Sequence, residues 1–373
     1  MPHRDIASRS AKPARSPHFR AGILTAALAL GVVVPLAGPA QAGPATAAAC
    51  QPTPLTLIGA SSTGLAVQQT GKPNADGALI DPVLTGAIGK RLTPRPGLDP
   101  TPTSSLRTFM TVVGPNLAWY EYLQRAGSRP KAIHRTNMLT GVDTLDGEMP
   151  QPGAFNGDWF TDEVPSYAPL PSDWQRPLLR YRPTGTDPLL TQLIPNVPGV
   201  IGVSMAADAT GLLRATLATD PTLHYSLDLV KLSTGKVTHL LDTTEVITRV
   251  ALTAHTVAWA STTADGTVKI NQRRRTGAGA LTSYVETNPH ADVLHLVAGN
   301  RGVGYLVPDP GNPAGTALRI VSGTTAQQVA LPLGGSGLAA VGTRFYTAVG
   351  GGSEAGVYRV TGNRVRRVAT VPC

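Results

Sequence analysis

The chain has 373 residues, a formal net charge of +9 and 42% hydrophobic residues. Its 40 glycines and 33 prolines interrupt helical periodicity and exclude a mainly helical fold, while the frequent Val, Leu, Ile and Ala between them exclude a disordered chain. Residues 1–42 hold five basic residues and one acid, so the rest of the chain has 27 basic and 22 acidic residues, a surplus of +5 that is too sparse for a nucleic-acid-binding face.

Residues 1–42 have the pattern of a secretion signal peptide. The five basic residues precede an uncharged apolar run at 21–36, and small residues follow at Ala40-Gln41-Ala42. We predict cleavage after Ala42 by the general secretory route, which makes the protein secreted or extracellular. A retained membrane anchor is the alternative, but the run of about 16 residues is shorter than the ~20 that span a bilayer, and no later segment is apolar enough.

The two cysteines, Cys50 and Cys373, lie near the two ends of the mature chain. Cys50 belongs to a short N-terminal segment, 43–54, ahead of the predicted domain at 55–373. In an oxidising compartment we expect the two to form a disulfide. The alternative is that Cys50 is a lipid-anchored first residue, because Ala47-Ala48-Ala49-Cys50 is similar to a lipoprotein processing site. That alternative would leave Cys373 unpaired.

A Thr-Gly or Ser-Gly dipeptide recurs along the chain at similar intervals. The intervals between its seven glycines are 55, 44, 50, 42, 46 and 39 residues, with a mean of 46. Glycine in such a dipeptide can supply the positive φ of a tight hairpin turn. The seven dipeptides are Thr85-Gly86, Thr140-Gly141, Thr184-Gly185, Thr234-Gly235, Thr276-Gly277, Ser322-Gly323 and Thr361-Gly362.

Strand patterns precede most of these dipeptides, and they give four strands per repeat. One apolar strand pattern starts roughly 18–25 residues ahead of the glycine, as at 116–119 and 256–259, and a further apolar run precedes it, as at 109–113 and 250–252. Four strands repeated every 40–50 residues are typical of a β-propeller. We therefore predict an all-β fold, a seven-bladed β-propeller of four-stranded antiparallel sheets. Stacked β-sandwich domains are the alternative, but the sequence shows no linker between them.

One hairpin also resembles a known class of repeats. The segment Leu229-Val-Lys-Leu-Ser-Thr-Gly-Lys-Val-Thr-His-Leu-Leu241 is similar to the outer hairpin of bacterial β-propeller repeats of the TolB-like and quinoprotein-like kind. The resemblance covers most of 55–371 and implies the same fold. Because propellers of this kind include enzymes, scaffolds and binding modules, the resemblance assigns neither an activity nor a catalytic residue.

The phase of the repeat predicts how the ring closes. The first strand pattern, at 55–58, corresponds to an innermost strand, and the last, at 365–371, corresponds to an outermost strand. The first and last blades would then meet without sharing a sheet. A disulfide between Cys50 and Cys373 would join the two chain ends at this junction.

The segment 143–173 is the one candidate binding site that the sequence indicates. It contains seven acids and no Lys or Arg, and aromatic residues lie within or beside it. Aromatic faces beside carboxylates can stack on sugar rings, and paired carboxylates can cleave glycosides. The alternative is an irregular blade with a solvated loop. The predicted ligand-binding residues are Asp158, Trp159, Asp162, Glu163 and Trp174.

No other pattern of catalytic or metal-binding residues stands out. The histidines lack the spacing of a metal motif, and no Gly-x-Ser-x-Gly sequence marks a serine nucleophile. We predict no cofactor and no metal, and we expect a monomeric binding or scaffold module whose extracellular or cell-envelope ligand is a protein or a glycan, rather than an enzyme. The alternative is a propeller enzyme, a glycan hydrolase or lyase that uses the carboxylates of 143–173. A structural envelope protein without a small ligand is a third possibility.

Overall fold

Short apolar runs separated by turns form β-strands in a computed structural model of the protein. The structure describes residues 54–73, 79–95, 105–123, 130–148, 158–161, 164–167, 178–182, 189–194, 200–208, 210–219, 222–231, 233–276, 279–288, 291–309, 311–332 and 334–371. These ranges belong to one unit, Cys50–Cys373. Within them, no helix is long and apolar enough to cross a membrane.

Six of the four-stranded sheets are antiparallel throughout, and they are numbered here by their position along the chain. The first sheet consists of β1 (Leu55–Ala60), β2 (Gly64–Gln69), β5 (Val83–Ala87) and β6 (Thr93–Pro94), with the small pair β3 (Lys72–Pro73) and β4 (Leu79–Ile80) between β2 and β5 in sequence. The second consists of β7 (Ser105–Val113), β8 (Asn116–Leu123), β9 (Pro130–Asn137) and β10 (Asp143–Glu148).

The fourth to seventh sheets repeat the same order of consecutive strands. The fourth sheet has β15 (Val200–Asp208), β16 (Gly211–Ala218), β17 (His224–Lys231) and β18 (Val237–Thr243). The fifth has β19 (Val246–Leu252), β20 (Thr256–Thr262), β21 (Val268–Arg274) and β22 (Thr282–Val285). The sixth has β23 (His295–Gly299), β24 (Gly302–Asp309), β25 (Asn312–Ser322) and β26 (Thr325–Val329), and the seventh has β27 (Ser336–Val341), β28 (Arg344–Val349), β29 (Gly356–Thr361) and β30 (Arg364–Thr370).

The third sheet departs from this pattern. Its strands are β11 (Asp158–Thr161), β12 (Val164–Tyr167), β13 (Leu178–Arg182) and β14 (Leu189–Ile194), in the spatial order β12-β11-β13-β14. The pair β11 and β13 is parallel, whereas the other pairs of this sheet are antiparallel. A uniformly antiparallel sheet in this part of the chain was expected, and that expectation is wrong for this pair. A parallel pair needs a longer connection, which the chain supplies between β12 and β13.

The first strand of most sheets lies on the inside. These inner strands pack side by side in the order β7, β1, β27, β23, β19, β15 and, from the third sheet, β12. Register shifts mark bulges within the inner strands, including those at Ile58, Val203, Thr248 and Gly337. A bulge bends its strand and increases its twist, which helps neighbouring sheets to follow a curve. The arrangement is consistent with a β-propeller.

The hydrophobic core lies between neighbouring sheets rather than within any one of them. One buried cluster joins Leu213 and Leu227 of the fourth sheet to Ile247 and Trp259 of the fifth. Further clusters join the first sheet to the second, the fifth to the sixth and the sixth to the seventh. Because these sheets bury their faces on one another, none of them is stable without its neighbours.

The first and seventh sheets pack against each other and share no strand. Leu57 and Leu65 of the first sheet and Tyr346 and Val357 of the seventh belong to one buried cluster. The turn after β5 also pairs with the free edge of β30, since the Arg91 backbone forms a parallel bridge with Thr370. The two sheets meet without a shared strand, as the phase of the sequence repeat predicted.

One predicted turn is wrong. Thr85-Gly86 lies inside β5, and the turn that follows β5 uses Gly89, with φ of 87°. A Cβ at Gly86 would lie 3.2 Å from Leu92 Cδ2, so this glycine lies at a closely packed position, and it does not supply a positive φ. Four of the predicted turn glycines do have positive φ, namely Gly141, Gly235, Gly323 and Gly362. Gly185 and Gly277 lie outside the described residues.

A buried ion pair connects the fifth and sixth sheets. The Arg319 guanidinium on β25 donates to the Glu286 carboxylate, which follows β22, and the Tyr305 hydroxyl donates to the same carboxylate at 2.5 Å. The side chain of Glu286 is 0% exposed and that of Arg319 is 10% exposed. Burial, together with the hydrogen bond to Glu286, raises the pKa of Tyr305 well above its ordinary value. The carboxylate therefore stays paired with a cation and a neutral phenol.

Removal of the cation from this pair should destabilise the protein strongly. We expect Arg319→Met to lower the free energy of unfolding by roughly 3–5 kcal/mol, because the Glu286 charge stays buried without its partner. In the control, Lys269→Met breaks the more exposed pair in which Lys269 Nζ lies 2.6 Å from Glu245 Oε1, and we expect a loss of about 1 kcal/mol or less. Urea unfolding measures both losses, and equal losses would contradict the assignment.

Candidate functional site

A cavity lies between the inner strands of six sheets. Its volume is about 380 Å³, and it takes its lining from β1, β7, β15, β19, β23 and β27. Among the lining residues are Ile58, Val112, Met205, Val250, Leu296 and Leu338, one from each strand. The side chains of Val250, Leu296 and Leu338 are buried in the core, so much of the exposed wall is strand backbone. Such a wall suits a ligand that forms hydrogen bonds with peptide groups.

Glycines allow the inner strands to approach one another. The backbone of Gly337 on β27 has φ of 71°, and a Cβ there would lie 2.1 Å from the carbonyl oxygen of Leu57 on β1. A Cβ at Gly59 would lie 2.8 Å from Val112 Cγ2 on β7. Larger residues at these two positions would force the strands apart, so the size of the cavity depends on them.

A cation and a histidine lie on neighbouring inner strands beside this cavity. Arg249 is exposed on β19, directly before the lining residue Val250, and its Nε donates to the carbonyl of Leu294 at 3.4 Å. His295 is half-buried at the start of β23, directly before the lining residue Leu296. Burial, followed by the positive charge of Arg249, lowers the pKa of His295. The pair therefore presents a neutral imidazole beside a fixed positive charge.

Seryl and threonyl hydroxyls connect neighbouring inner strands. Ser204 Oγ on β15 accepts a hydrogen bond from the Val250 backbone N–H at 3.1 Å. Thr56 Oγ1 and Ser336 Oγ, on β1 and β27, lie 3.1 Å apart in a hydrogen bond. These bonds connect β15 to β19 and β1 to β27.

The lowered pKa of His295 predicts a dependence of stability on pH. At pH values between the folded pKa and the unfolded value of about 6.5, the unfolded chain binds a proton that the folded chain does not. We therefore expect stability to fall as the pH falls below about 6.5, and we expect His295→Gln to remove this part of the slope.

The measurements are urea unfolding across pH and an NMR titration of the imidazoles. Arg249→Gln should move the His295 pKa up towards its ordinary value, because the neighbouring positive charge is removed. His255→Gln, which removes an imidazole from an exposed turn, is the control for loss of a histidine. An unchanged His295 titration in the Arg249→Gln protein would contradict the assignment.

Two of the residues predicted from the acidic segment lie in the described part of the chain. Asp158 and Trp159 lie on β11, paired with Tyr167 and Ser166 of β12. Asp162, Glu163 and Trp174 lie outside the described residues. The binding role of this group stays a prediction that the structure does not test.

Asp143, the first acid of that segment, forms hydrogen bonds within the second sheet. Asp143 Oδ1 accepts a hydrogen bond from Thr136 Oγ1 at 2.7 Å, and Asp143 Oδ2 lies 2.9 Å from His134 Nδ1. Trp119 Nε1 donates to Thr136 Oγ1 at 3.0 Å, and the Trp119 and His134 rings stack with centroids 4.0 Å apart. This network fastens β8, β9 and β10 of the second sheet. Across the described ranges, no group of His, Cys, Asp and Glu is placed to hold a metal ion.

Sequence reasoning did not identify Arg249 and His295. They are 46 positions apart, which is the mean interval of the repeat, and each directly precedes a cavity-lining residue of its inner strand. A comparison of equivalent repeat positions would have shown charged or titratable residues in strands that are otherwise apolar. That signal was available but weak, because the strand boundaries had to be known first.

Comparisons with known proteins place this fold. No protein-family model matches the chain, and no curated protein matches it. The β-propeller domain of the Trilobed protease from Pyrococcus furiosus, described as having an open velcro topology, matches with a TM-score of 0.53 and 9% identity over 86% of this chain and 96% of that one. The chain folds as a β-propeller.

Two further structural neighbours are peptidases. A prolyl endopeptidase matches this propeller with a TM-score of 0.55 and 14% identity, over 86% of this chain and 50% of that one. It is one of two such enzymes studied for the role of inter-domain dynamics in catalysis and specificity. An acylaminoacyl peptidase from Pyrococcus horikoshii matches with a TM-score of 0.48 and 10% identity, over 85% of this chain and 52% of that one. The propeller spans about half the length of these enzymes.

These neighbours correct the functional expectations drawn from sequence. A binding or scaffold module without catalysis was expected, with a glycan hydrolase or lyase as the alternative, and the peptidase neighbours contradict both. The expectation that the protein is not an enzyme is contradicted in the same way. A short, degenerate hairpin motif could not separate these classes, because different propellers share it.

Proposed function

We propose that this chain functions in peptide hydrolysis, as the propeller part of a peptidase that selects peptides at the cavity between its inner strands. The observation that carries the proposal is the shared fold: the propeller matches half of a prolyl endopeptidase and nearly all of a protease propeller domain. The catalytic step is assigned to a part other than the cavity walls, because the described residues that line the cavity include no Ser, Cys, His, Asp or Glu.

The dimensions of the cavity favour short or unfolded peptides. A volume of about 380 Å³ lies in the range of small-ligand pockets, roughly 300–1,000 Å³. A folded domain of 100 residues has a radius of gyration of about 13 Å and is far too large to enter. An extended peptide, by contrast, presents backbone amides, which can form hydrogen bonds with the strand backbone of the cavity walls.

The charge beside the cavity favours one end of such a peptide. Arg249 is an exposed cation, and the neutral imidazole of His295 adds no second positive charge. A guanidinium forms strong hydrogen bonds with a carboxylate, so a peptide C-terminus or an acidic side chain is the group that this corner would bind.

The test combines cleavage with crosslinking. The purified full chain is incubated with a panel of fluorogenic short peptides, some containing proline, and with one peptide that carries a photo-crosslinker. We expect short peptides to be cleaved or crosslinked at inner-strand residues, and a folded protein substrate to give neither. Ala340→Trp should reduce the signal at least fivefold, because the indole fills space at a cavity-lining position.

A matched substitution controls for the added tryptophan. Ala264→Trp places the same side chain on an exposed turn, and the signal should not change. Crosslinking without cleavage would support peptide binding by the propeller and would mean that the catalytic centre lies on another polypeptide. Neither cleavage nor crosslinking by well-folded protein would overturn the proposal.

We also propose that the propeller has seven blades, with the mixed third sheet as one of them, and that it is secreted after cleavage behind Ala42. Seven four-stranded sheets support the count.

Cys50 and Cys373 themselves lie outside the described residues. A disulfide between them is supported by Leu55 and Val371, which belong to the same core cluster and lie five and two positions from the cysteines.

Analysis of the secreted protein tests these points together. We expect its N-terminal residue to be Gly43 and its native form to resist thiol alkylation until it is reduced. Cys50→Ser should lower the free energy of unfolding by an amount up to roughly 5 kcal/mol, because the disulfide closes a very long loop. Cys373→Ser is the matched control and should cause an equal loss. Two alkylated thiols in the native protein would contradict the disulfide.

A further inference from the structure

A groove lined by five cations lies at the junction of the first and seventh sheets. Its volume is about 320 Å³, and the turn at 88–91 forms one wall while β29 and β30 form the other. Four of the five cationic residues are exposed and the fifth is half-buried. The cationic residues are Lys90, Arg91, Arg359, Arg366 and Arg367.

Two of these arginines face each other across the sheet. Arg359 on β29 and Arg366 on β30 are direct partners in the antiparallel register, so their side chains leave the same face at close range. Like charges directly opposite each other destabilise a sheet. The arrangement therefore costs stability unless an anion lies between the two guanidinium groups.

The seventh sheet supplies almost no negative charge of its own. Residues 336–373 contain five arginines and one acid, Glu354. The Glu354 carboxylate accepts the hydroxyl hydrogen bond of Tyr358 at 2.8 Å, and Arg367 donates to the carbonyl of Ser353 at 2.5 Å. Within the described ranges, Arg359 and Arg366 form no ion pair with a carboxylate. Among the described residues that line the groove, none is an acid.

Backbone hydrogen bonds hold the two walls in place before any anion arrives. The Gly89 N–H donates to the carbonyl of Val368 at 2.7 Å, and the Leu92 N–H donates to the carbonyl of Thr370 at 2.9 Å. Lys90 and Arg91 lie between these two bonds, so both are carried on a short, fixed turn. A site with its cations already positioned loses less entropy when it binds.

We propose that this groove binds a tetrahedral oxyanion, a phosphate or sulfate group, which bridges the turn at 88–91 to β30 and holds the first and seventh sheets together. Guanidinium groups match such an anion because their N–H donors form paired, charge-assisted hydrogen bonds with two oxygens. The groove is separate from the inner strands, so the site does not depend on peptide hydrolysis.

The experiment measures thermal unfolding and amide hydrogen exchange of the full chain in inorganic phosphate and in sodium chloride at equal ionic strength. Phosphate should raise Tm by several degrees relative to chloride, with a concentration dependence that saturates. It should also slow exchange at 88–92 and 364–370 more than at β20 and β24. Sulfate and tripolyphosphate are tested in separate experiments. If sulfate raises Tm as much as phosphate does, the ligand is a single tetrahedral anion, and if tripolyphosphate raises Tm further, the ligand is a phosphate chain.

Three variants distinguish anion binding in this groove from a general effect of surface charge. Arg366→Gln should raise Tm in chloride, because the repulsion with Arg359 is removed, and should reduce the phosphate effect at least threefold. Arg359→Lys should weaken phosphate binding while keeping the charge. Arg301→Gln removes an exposed arginine from a different groove, between the fifth and sixth sheets, and should keep the full phosphate effect.

Three results would overturn the proposal. The first is equal Tm in phosphate and chloride, and the second is an equal loss of the phosphate effect in Arg301→Gln and Arg366→Gln. The third is a lower Tm in chloride for Arg366→Gln than for the wild-type protein, which would show that Arg366 has a stabilising partner without the anion.

Discussion

The packing of one small sheet against the next is the interaction on which this propeller depends. Four strands of about six residues cannot bury two apolar faces by themselves, so each sheet contributes half of a core that its neighbour completes. The described clusters follow this rule, since each joins residues from two adjacent sheets. Strand bulges and close-packed glycines then set how near the inner strands come to one another, and so they define the cavity.

Polar groups between the sheets specify how that packing is aligned. Glu286 and Arg319 across the fifth and sixth sheets, and Asp208 and Arg275 across the fourth and fifth, are ion pairs in places where apolar contact alone would permit sliding. A buried pair of this kind stabilises less than its Coulomb energy suggests, but an incorrect alignment would leave a charge without its partner. Hydrophobic burial holds the sheets together, and these pairs select one alignment.

The sequence was sufficient to predict the strands, because alternation and glycine punctuation are local properties. The inner strands and the strands after them are found where the apolar runs predicted them, as with the runs at 250–252 and 256–259 in β19 and β20. The local pattern gave wrong predictions in two places. Gly86 was predicted to form a turn but lies at a closely packed position inside β5, and the third sheet contains a parallel pair of strands. The corner formed by Arg249 and His295 was missed because it comes from two sheets whose approach depends on packing, which no local pattern encodes.

The absence of a shared strand at the junction of the first and seventh sheets has a mechanical consequence. In a ring closed by a strand from the other end of the chain, a tensile force applied to the two ends must shear a full ladder of hydrogen bonds. Here the same force would act on apolar side-chain contacts and on a few backbone bonds such as those of Gly89 and Leu92. These contacts yield at low load, so the ring would part at this junction first, and resistance to extension would rest on whatever covalent or ionic link spans it.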